Sequence, residues 1–405
     1  MTAAASPVSV CEAIARMTSG VEPLPAESVP LEEAQGRTLA SDVAATLTQP
    51  PFAVSAMDGY AVRSADTAAP PARLAVTGES SAGHGFTGRL APGQAVRVFT
   101  GAPLPEGADA VMMQERARRD GGCVEILEAV PQGSFIRPKG FDFREGDALL
   151  RTGRKLTARD LVLAASMNCA ALPVRRKPVI AILSTGDELA PPGSRPGPWQ
   201  IIASASYGLA AMVRSAGGEP RLLGIAADRL DSLEVHLAEA EGADVLVTIG
   251  GAADGDYDLV QQALTRRGFI LDFRKVAMQP GKSAMSGRIG AQRVLAAPGN
   301  PAAALLCARV LLYPLIASLL GQSPSAAGRA TAVLAASLPA NGPRQHYMRA
   351  LLTRSETGEA VATPLGYQDS SQTAPLSQAS CLIVRPPFAP STPAGRRAPI
   401  LNIDF

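Results

Sequence analysis

The stretch Val179-Ile180-Ala181-Ile182-Leu183, running into Ser184-Thr185-Gly186-Asp187-Glu188, decides the fold. An apolar run without polar alternation reads as a strand buried on both faces, as in a parallel sheet covered by helices. The pattern returns twice. Val245-Leu246-Val247-Thr248 leads into Gly250-Gly251 and Asp254-Gly255-Asp256-Tyr257-Asp258, and Val294-Leu295-Ala296 leads into Pro298-Gly299-Asn300-Pro301. Ligands of such sheets bind outside the carboxyl ends of the strands, so the three loops are predicted to build one polar site.

Around this core, residues 178–322 alternate between the two periodicities. Helices are predicted around Tyr207–Arg214, over Leu230–Ala240 and over Leu259–Arg266, with further strands at Arg221–Ile225 and Phe269–Val276. That alternation implies an α/β domain with a mainly parallel sheet. Upstream, residues 6–20 carry Val10, Ile14 and Met17 at helical spacing, with Gly20 as a stop. Residues 46–146 change to short β-type runs (Leu74–Val76, Val96–Phe99, Ala110–Met113, Val124–Leu127) between Gly and Pro turns, a small, mostly β domain. A helix over Leu156–Asn168, with Thr157 as its N-cap, leads back out. Beyond residue 323, β-type runs at Thr331–Leu334, Tyr347–Leu352, Leu382–Val384 and Ile400–Ile403 suit a compact barrel or sandwich.

Composition narrows the function. A length of 405 residues favours several domains, and 46% apolar content supplies their cores. The net charge of +2, from 38 basic and 36 acidic residues without long runs of either sign, argues against nucleic acid as a partner. Cys11, Cys123, Cys169, Cys307 and Cys381 are odd in number and form no C-x-x-C pair, which argues against a disulfide framework or a zinc site and suits a reducing cytoplasm. His84, His236 and His346 read as surface or packing residues. The N-terminus lacks the basic start of a signal peptide. Ala302–Leu320 is long and apolar, but Arg309 near its middle would cost ~2.5–3.5 kcal/mol in a bilayer, so a buried helix is expected and no membrane partner.

Several motifs bear on chemistry. Gly83-His84-Gly85-Phe86-Thr87-Gly88 spells a dinucleotide fingerprint, yet no helix follows to receive a pyrophosphate, and a β-domain turn is expected. The loops concentrate carboxylates: Asp58, Asp142, Asp187, Glu188, Asp228, Asp254, Asp256 and Asp258. Magnesium typically sits between one or two carboxylates and a substrate phosphate. Taken singly, each Asp also suits a cap or turn. In Lys275-Val276-Ala277-Met278-Gln279-Pro280-Gly281-Lys282-Ser283, the turn at Pro280-Gly281 presents Lys282 either to an oxyanion or to solvent.

Longer strings identify a family. Pro50-Pro51-Phe52 running into Ser55-Ala56-Met57-Asp58-Gly59-Tyr60-Ala61-Val62-Arg63, and Phe99-Thr100-Gly101-Ala102-Pro103-Leu104-Pro105-Glu106-Gly107-Ala108-Asp109-Ala110, are joined by the glycine loops above. On these residues the chain resembles the molybdopterin molybdenumtransferases, the MoeA and gephyrin E-domain family, from residue 6 to 405. The resemblance implies an elongated dimer of four-domain subunits: a linking domain (1–45 and 147–177), an inserted β domain (46–146), an α/β domain (178–322) and a C-terminal β-barrel (323–405).

The resemblance also implies a reaction, insertion of molybdate into the dithiolene of adenylylated molybdopterin with release of AMP and a divalent cation such as Mg2+ present. Its implied roles are catalysis for Asp58, Asp142, Glu188, Asp258, Lys275 and Lys282, with metal held by Asp187, Glu188 and Asp258. Thr100, Ser184, Thr185, Gly186, Asp228, Gly250, Gly251, Pro298, Gly299, Asn300 and Pro301 would bind the pterin substrate; Lys282, Arg344, Arg349, Ser370 and Ser371 would bind molybdate. Asp58, Thr100 and Asp142 would face the α/β domain across the dimer, and the molybdopterin adenylyltransferase and acceptor molybdoenzymes are implied partners. The chain departs from the family at Ala203 and Ala205 (usually Asp and Asn), Ala253 (Ser), Gln279 and Ser283 (lysine, then proline), and Ala302-Ala303 (Val-Ser). Those losses motivate one alternative, a molybdopterin carrier that inserts no metal. A receptor-binding scaffold is another.

Overall fold

Both faces of the central strand are covered, and its own sequence says which side chain meets which layer. The structure, a computed structural model, describes residues 6–251, 259–322 and 330–403. Val179–Thr185 pairs in parallel with Glu219–Ala226 on one side and Val245–Ile249 on the other, and Gln292–Ala297 continues the parallel set. Ile180 and Ile182 point to one layer, where the helices Val10–Thr18, Ala205–Ala216 and Pro301–Leu319 pack; Ala181 and Leu183 point to the other, against Leu230–Glu239 and Leu259–Arg266. Alternate residues of one strand thus serve two apolar cores.

An antiparallel pair completes this sheet. Met285–Ile289 lies between Gln292–Ala297 and Ile270–Arg274. The strand predicted over Phe269–Val276 stops at Arg274 because Lys275 takes a left-handed conformation, φ 70°. The excursion that follows leaves the sheet: Met278–Gln279 pairs in parallel with Gln345 and His346 of the next unit.

Helix Pro301–Leu319 is long and apolar enough to span a membrane, and here it is a core element, with Leu306, Cys307, Leu311, Leu312, Leu315 and Ile316 all buried. It widens to a π turn over Ala308–Leu312. Pro314 supplies the reason, since it has no N–H for the bond to residue 310. Arg309 is buried in that turn, its guanidinium 5.0 Å from the centroid of the Tyr313 ring.

Among the described residues, four further apolar clusters lie outside this unit. Gln345–Arg354, Ala360–Pro364, Ala330–Leu334, Arg397–Asn402 and Cys381–Arg385 pair in that order, and the last returns to the first, closing a five-stranded barrel. Residues of the mostly β unit form a six-stranded mixed sheet with Gln94–Val98 and Ala72–Ser80 in its middle and Gly59–Val62 next to the former. In it the glycine-rich 83–88 segment is a turn, followed by the strand Gln94–Val98 and not by a helix. A small separate core is built on helix Ala158–Ser166 and the antiparallel pair Ala26–Pro30 with Ala171–Arg175. Thr157 starts that helix, its N–H and hydroxyl both donating to the Asp160 carboxylate at 2.8 Å.

Candidate active site

The three loops meet. Chain connections leave Val179–Thr185 and Val245–Ile249 toward opposite edges of the sheet, and at the carboxyl ends of these neighbours opens a cleft of about 810 Å³. Such a switch point is where doubly wound sheets bind ligands. Ser184, Thr185, Gly186 and Glu188 line it from the first loop, Gly250 and Gly251 from the second, Pro298, Gly299, Asn300 and Pro301 from the third, with Asp228 beside them.

Glycine is required where the loops touch. Gly250 has φ 96°, and a Cβ there would lie 2.5 Å from the Thr185 carbonyl oxygen; at Gly251, φ 69°, it would lie 2.2 Å from Val260 Cγ2. Gly186 N–H donates to Ala226 O and Gly250 N–H to Ala297 O, each at 3.1 Å, tying neighbouring loops together. Thr185 Oγ1 is buried in this floor with no hydrogen-bond partner among the described residues. A buried hydroxyl left unpaired in a cleft wall is a group available to a ligand.

Charge gathers at the first loop. Asp187 Oδ1 accepts the Asp228 N–H at 3.0 Å, which fixes one carboxylate and turns the Asp228 backbone toward it. Glu188 folds back over Gly186, so that a Cβ on that glycine would lie 2.2 Å from Glu188 Oε2. Asp258 lies outside the described residues, as do Asp254 and Asp256. Among the described residues no three metal-ligating side chains converge.

The barrel supplies the far wall. Asn300 Nδ2 donates to Ser370 Oγ at 3.0 Å, Ala302 N–H donates to Ser370 O at 3.2 Å, and Ser371 and Thr373 line the cleft. Arg349 sits behind them, 2% exposed, donating to the carbonyls of Gln372, Tyr367 and Asp369 at 3.0, 3.1 and 2.8 Å. Its guanidinium therefore holds the loop that carries Ser370 and Ser371, and it does not line the cleft. Arg349→Ala is expected to lower stability by about 3 kcal/mol and expose 366–373 to protease, because the loop loses the three hydrogen bonds that this buried guanidinium gives to its carbonyls. Unchanged denaturation and proteolysis would contradict this anchoring role.

Comparison with known proteins matches three stretches of the chain. Residues 8–168 match the family described as MoeA N-terminal region (domain I and II), residues 181–318 a probable molybdopterin binding domain, and residues 331–403 the MoeA C-terminal region (domain IV). The molybdopterin molybdenumtransferase of Bacillus subtilis is 34% identical over 408 residues, covering 98% of this chain and 94% of its own length. That of Nostoc sp. is 40% identical over 303 residues, 73% of this chain and 70% of its own length. The chain belongs to the molybdopterin molybdenumtransferase (MoeA) family. A crystal structure of a molybdopterin biosynthesis MoeA protein from Pyrococcus horikoshii superposes with a TM-score of 0.86 at 26% identity, covering 98% of this chain and 100% of that one.

Other residues that the MoeA resemblance singles out stand outside the cleft. Gly281, φ 112°, packs so closely on Cys307 that a Cβ would be 2.6 Å from Sγ; this turn leaves Lys282 exposed next to Ser283, which does line the cleft. Lys275 forms the left-handed corner of the same excursion, and Arg344 precedes the barrel strand that pairs with it. Asp58 Oδ1 accepts both the N–H and the hydroxyl of Thr100 at 2.8 Å, and these bonds hold the Asp58 carboxyl below its ordinary range. Asp58, Thr100 and the exposed Asp142 belong to the mostly β unit and its edge, and none lines the cleft of its own chain.

Of the positions that the sequence reading marks as departures from the family pattern, Ala203, Ala205 and Ser283 line the cleft, whereas Gln279 lies in the strand pairing with His346. Ala253 is outside the described residues. Sequence reasoning missed Leu189, Ile201 and Ile202. They line the cleft because Leu189–Ala190 pairs with Ile201–Ile202 across a proline-rich loop whose composition conceals the return.

Proposed function

We propose that this chain inserts molybdate into the dithiolene of adenylylated molybdopterin with release of AMP. The observation that carries the reading is the switch-point cleft, walled by Thr185, Gly250, Gly251 and Pro298–Pro301 in a chain that matches MoeA proteins over nearly its whole length. Backbone N–H groups of the glycine loops and the Thr185 hydroxyl orient the pterin and its phosphates. Lys282, beside Ser283, draws in the molybdate dianion, with the Ser370 hydroxyl as a hydrogen-bond donor on the barrel side; Ser371 gives its N–H and hydroxyl proton to Asp369 and must release the latter to serve as a second donor. Cofactor-free molybdoenzyme mixed with molybdopterin-AMP, Mg2+, micromolar molybdate and this protein is expected to become active. No active product would overturn the proposal.

The donor set suits a divalent cation shared with the substrate. Asp187 keeps Oδ2 clear of its bond to the Asp228 N–H, and Glu188 is exposed beside it. Two carboxylates, with substrate oxygens and water completing the shell, match magnesium and not a site built from protein alone. Bound there, the cation would neutralise charge on the phosphoanhydride.

Four domains, bounded at 1–45 with 147–177, 46–146, 178–322 and 323–405, and a homodimer that brings Asp58, Thr100 and Asp142 to the partner's cleft are part of the same proposal. So is a cytoplasmic location, which the free cysteines suit.

Gln279 tunes the anion's surroundings. Its register partner His346 is held below its ordinary value by burial and by the charges of Arg344, Arg385 and Arg349. Adding a further cation to this neighbourhood by Gln279→Lys is expected to tighten molybdate binding about fivefold at low salt. A molybdate requirement that stays the same in the insertion assay would count against it.

A further inference from the structure

The N-terminal segment reaches a part of the molecule far from it in sequence. Val8 lies beside the excursion that leaves the sheet after Arg274: its N–H donates to Lys275 O at 3.1 Å, and its carbonyl accepts the Ala277 N–H at 2.7 Å. Helix Val10–Thr18 begins two residues later, with the Ser9 hydroxyl accepting the Glu12 N–H at 3.2 Å. Further along it, Arg16 Nη1 donates to Asp272 O at 2.9 Å, and just past its end Ser19 O accepts from Arg293 Nη2 at 2.5 Å. Val10, Ala13 and Met17 bury its inner face in the core of the α/β unit. One helix and its leading residue are therefore tied on both sides of Lys275, to the strand at 272 and to the excursion at 275 and 277.

We propose that Val8 is a positioning residue: with its helix it forms a splint that fixes the excursion and thereby sets the protein's affinity for the molybdate dianion. Lys275 needs such a support, because a left-handed backbone at a residue bearing a Cβ is strained and persists only where its surroundings hold it. The turn that it starts closes on itself, Lys275 N–H donating to Ala284 O and Val276 N–H to Lys282 O, each at 3.0 Å. Lys282 thus inherits its place from the corner at 275. The direction of that corner decides where the exposed Lys282 stands relative to Ser283, which lines the cleft. Attraction between a lysine and a dianion falls with distance, so a corner free to swing weakens anion capture and leaves the pterin wall untouched. The inference rests on the proposed function for the identity of the anion.

Calorimetric titration of the full chain with molybdate, alongside hydrogen exchange and the insertion assay, tests this. Val8→Pro, which deletes the N–H, is expected to bind molybdate about tenfold more weakly than wild type and Val8→Ala to match it, a modest loss for a group displaced from a preorganised site. Amides of 275–284 should exchange faster in Val8→Pro while Val179–Thr185 keeps its protection, and the KM for adenylylated molybdopterin should not change. A variant that had merely lost stability would move all of these together. A chain starting at Ser9, which lacks both backbone bonds, should behave as Val8→Pro does. Molybdate affinity within about twofold of wild type in both variants, unchanged exchange at 275–284, or a wild type that binds no molybdate overturns the splint. Insertion by wild type with Val8-independent molybdate affinity removes the splint and leaves the function, and Val8-dependent molybdate binding without insertion does the reverse.

Discussion

Glu188→Gln is expected to leave the fold standing and to lower kcat/KM for metal insertion about 100-fold, the scale of losing one charged group from a preorganised site. The side chain is exposed and folds back over Gly186 at the cleft, so its replacement by an isostere removes a charge and no packing. On the proposed function the carboxylate would act where charge on the phosphoanhydride changes, so the deficit should fall mainly on kcat and raising Mg2+ should recover part of it. Circular dichroism and the denaturation midpoint should match wild type. An insertion rate within about twofold of wild type would remove Glu188 from the metal and phosphate machinery.

Gly59→Ala is expected to have the largest effect on stability, about 4 kcal/mol, in the mostly β unit. Gly59 is buried in the strand between Gln94–Val98 and Ala110–Met113, and a Cβ there would lie 1.8 Å from the Met112 carbonyl oxygen and 2.9 Å from its carbon. Backbone blocks that methyl, and the strand must move to admit it. Hydrogen exchange should accelerate across 94–113 while the sheet around Val179–Thr185 keeps its protection. Unaltered protection of 94–113 would mean that the pairing shifts at no cost. The Met57-Asp58-Gly59-Tyr60 string thus combines two demands: a carboxylate at 58 that holds Thr100 and a missing side chain at 59 for the sheet.

Strands without alternation were legible because burial on both faces leaves no polar residue to confuse the period, as Val245–Ile249 shows. Helix Leu259–Arg266 was legible to the residue. Met285–Ile289 was not, since Gly287 and Arg288 interrupt its apolar pattern. The glycine is there because a Cβ would lie 2.3 Å from the Ile270 carbonyl oxygen, a close approach between strands that no local pattern announces. The glycine loops of the cleft were legible for the opposite reason, that their special backbone is written in residue type. Arg349 was read by resemblance as an anion ligand, but its depth depends on the 366–373 loop folding over it, a contact 18 to 23 residues away in sequence. The carrier alternative rested on lost polar side chains at 203, 205, 253, 279, 283 and 302–303, and match to transferases over nearly the full length does not favour it.

The pairing of Met278–Gln279 with Gln345 and His346 has a mechanical consequence. It stitches the barrel to the excursion that presents Lys282, while Ser370 latches onto Asn300 and Ala302 on the other side of the cleft. Fastened at both places, the barrel is an abutment and not a lid. The spacing between the turn that carries Lys282 and the serines at 370 and 371 is therefore set by the fold, so on the proposed function the anion would meet a fixed geometry.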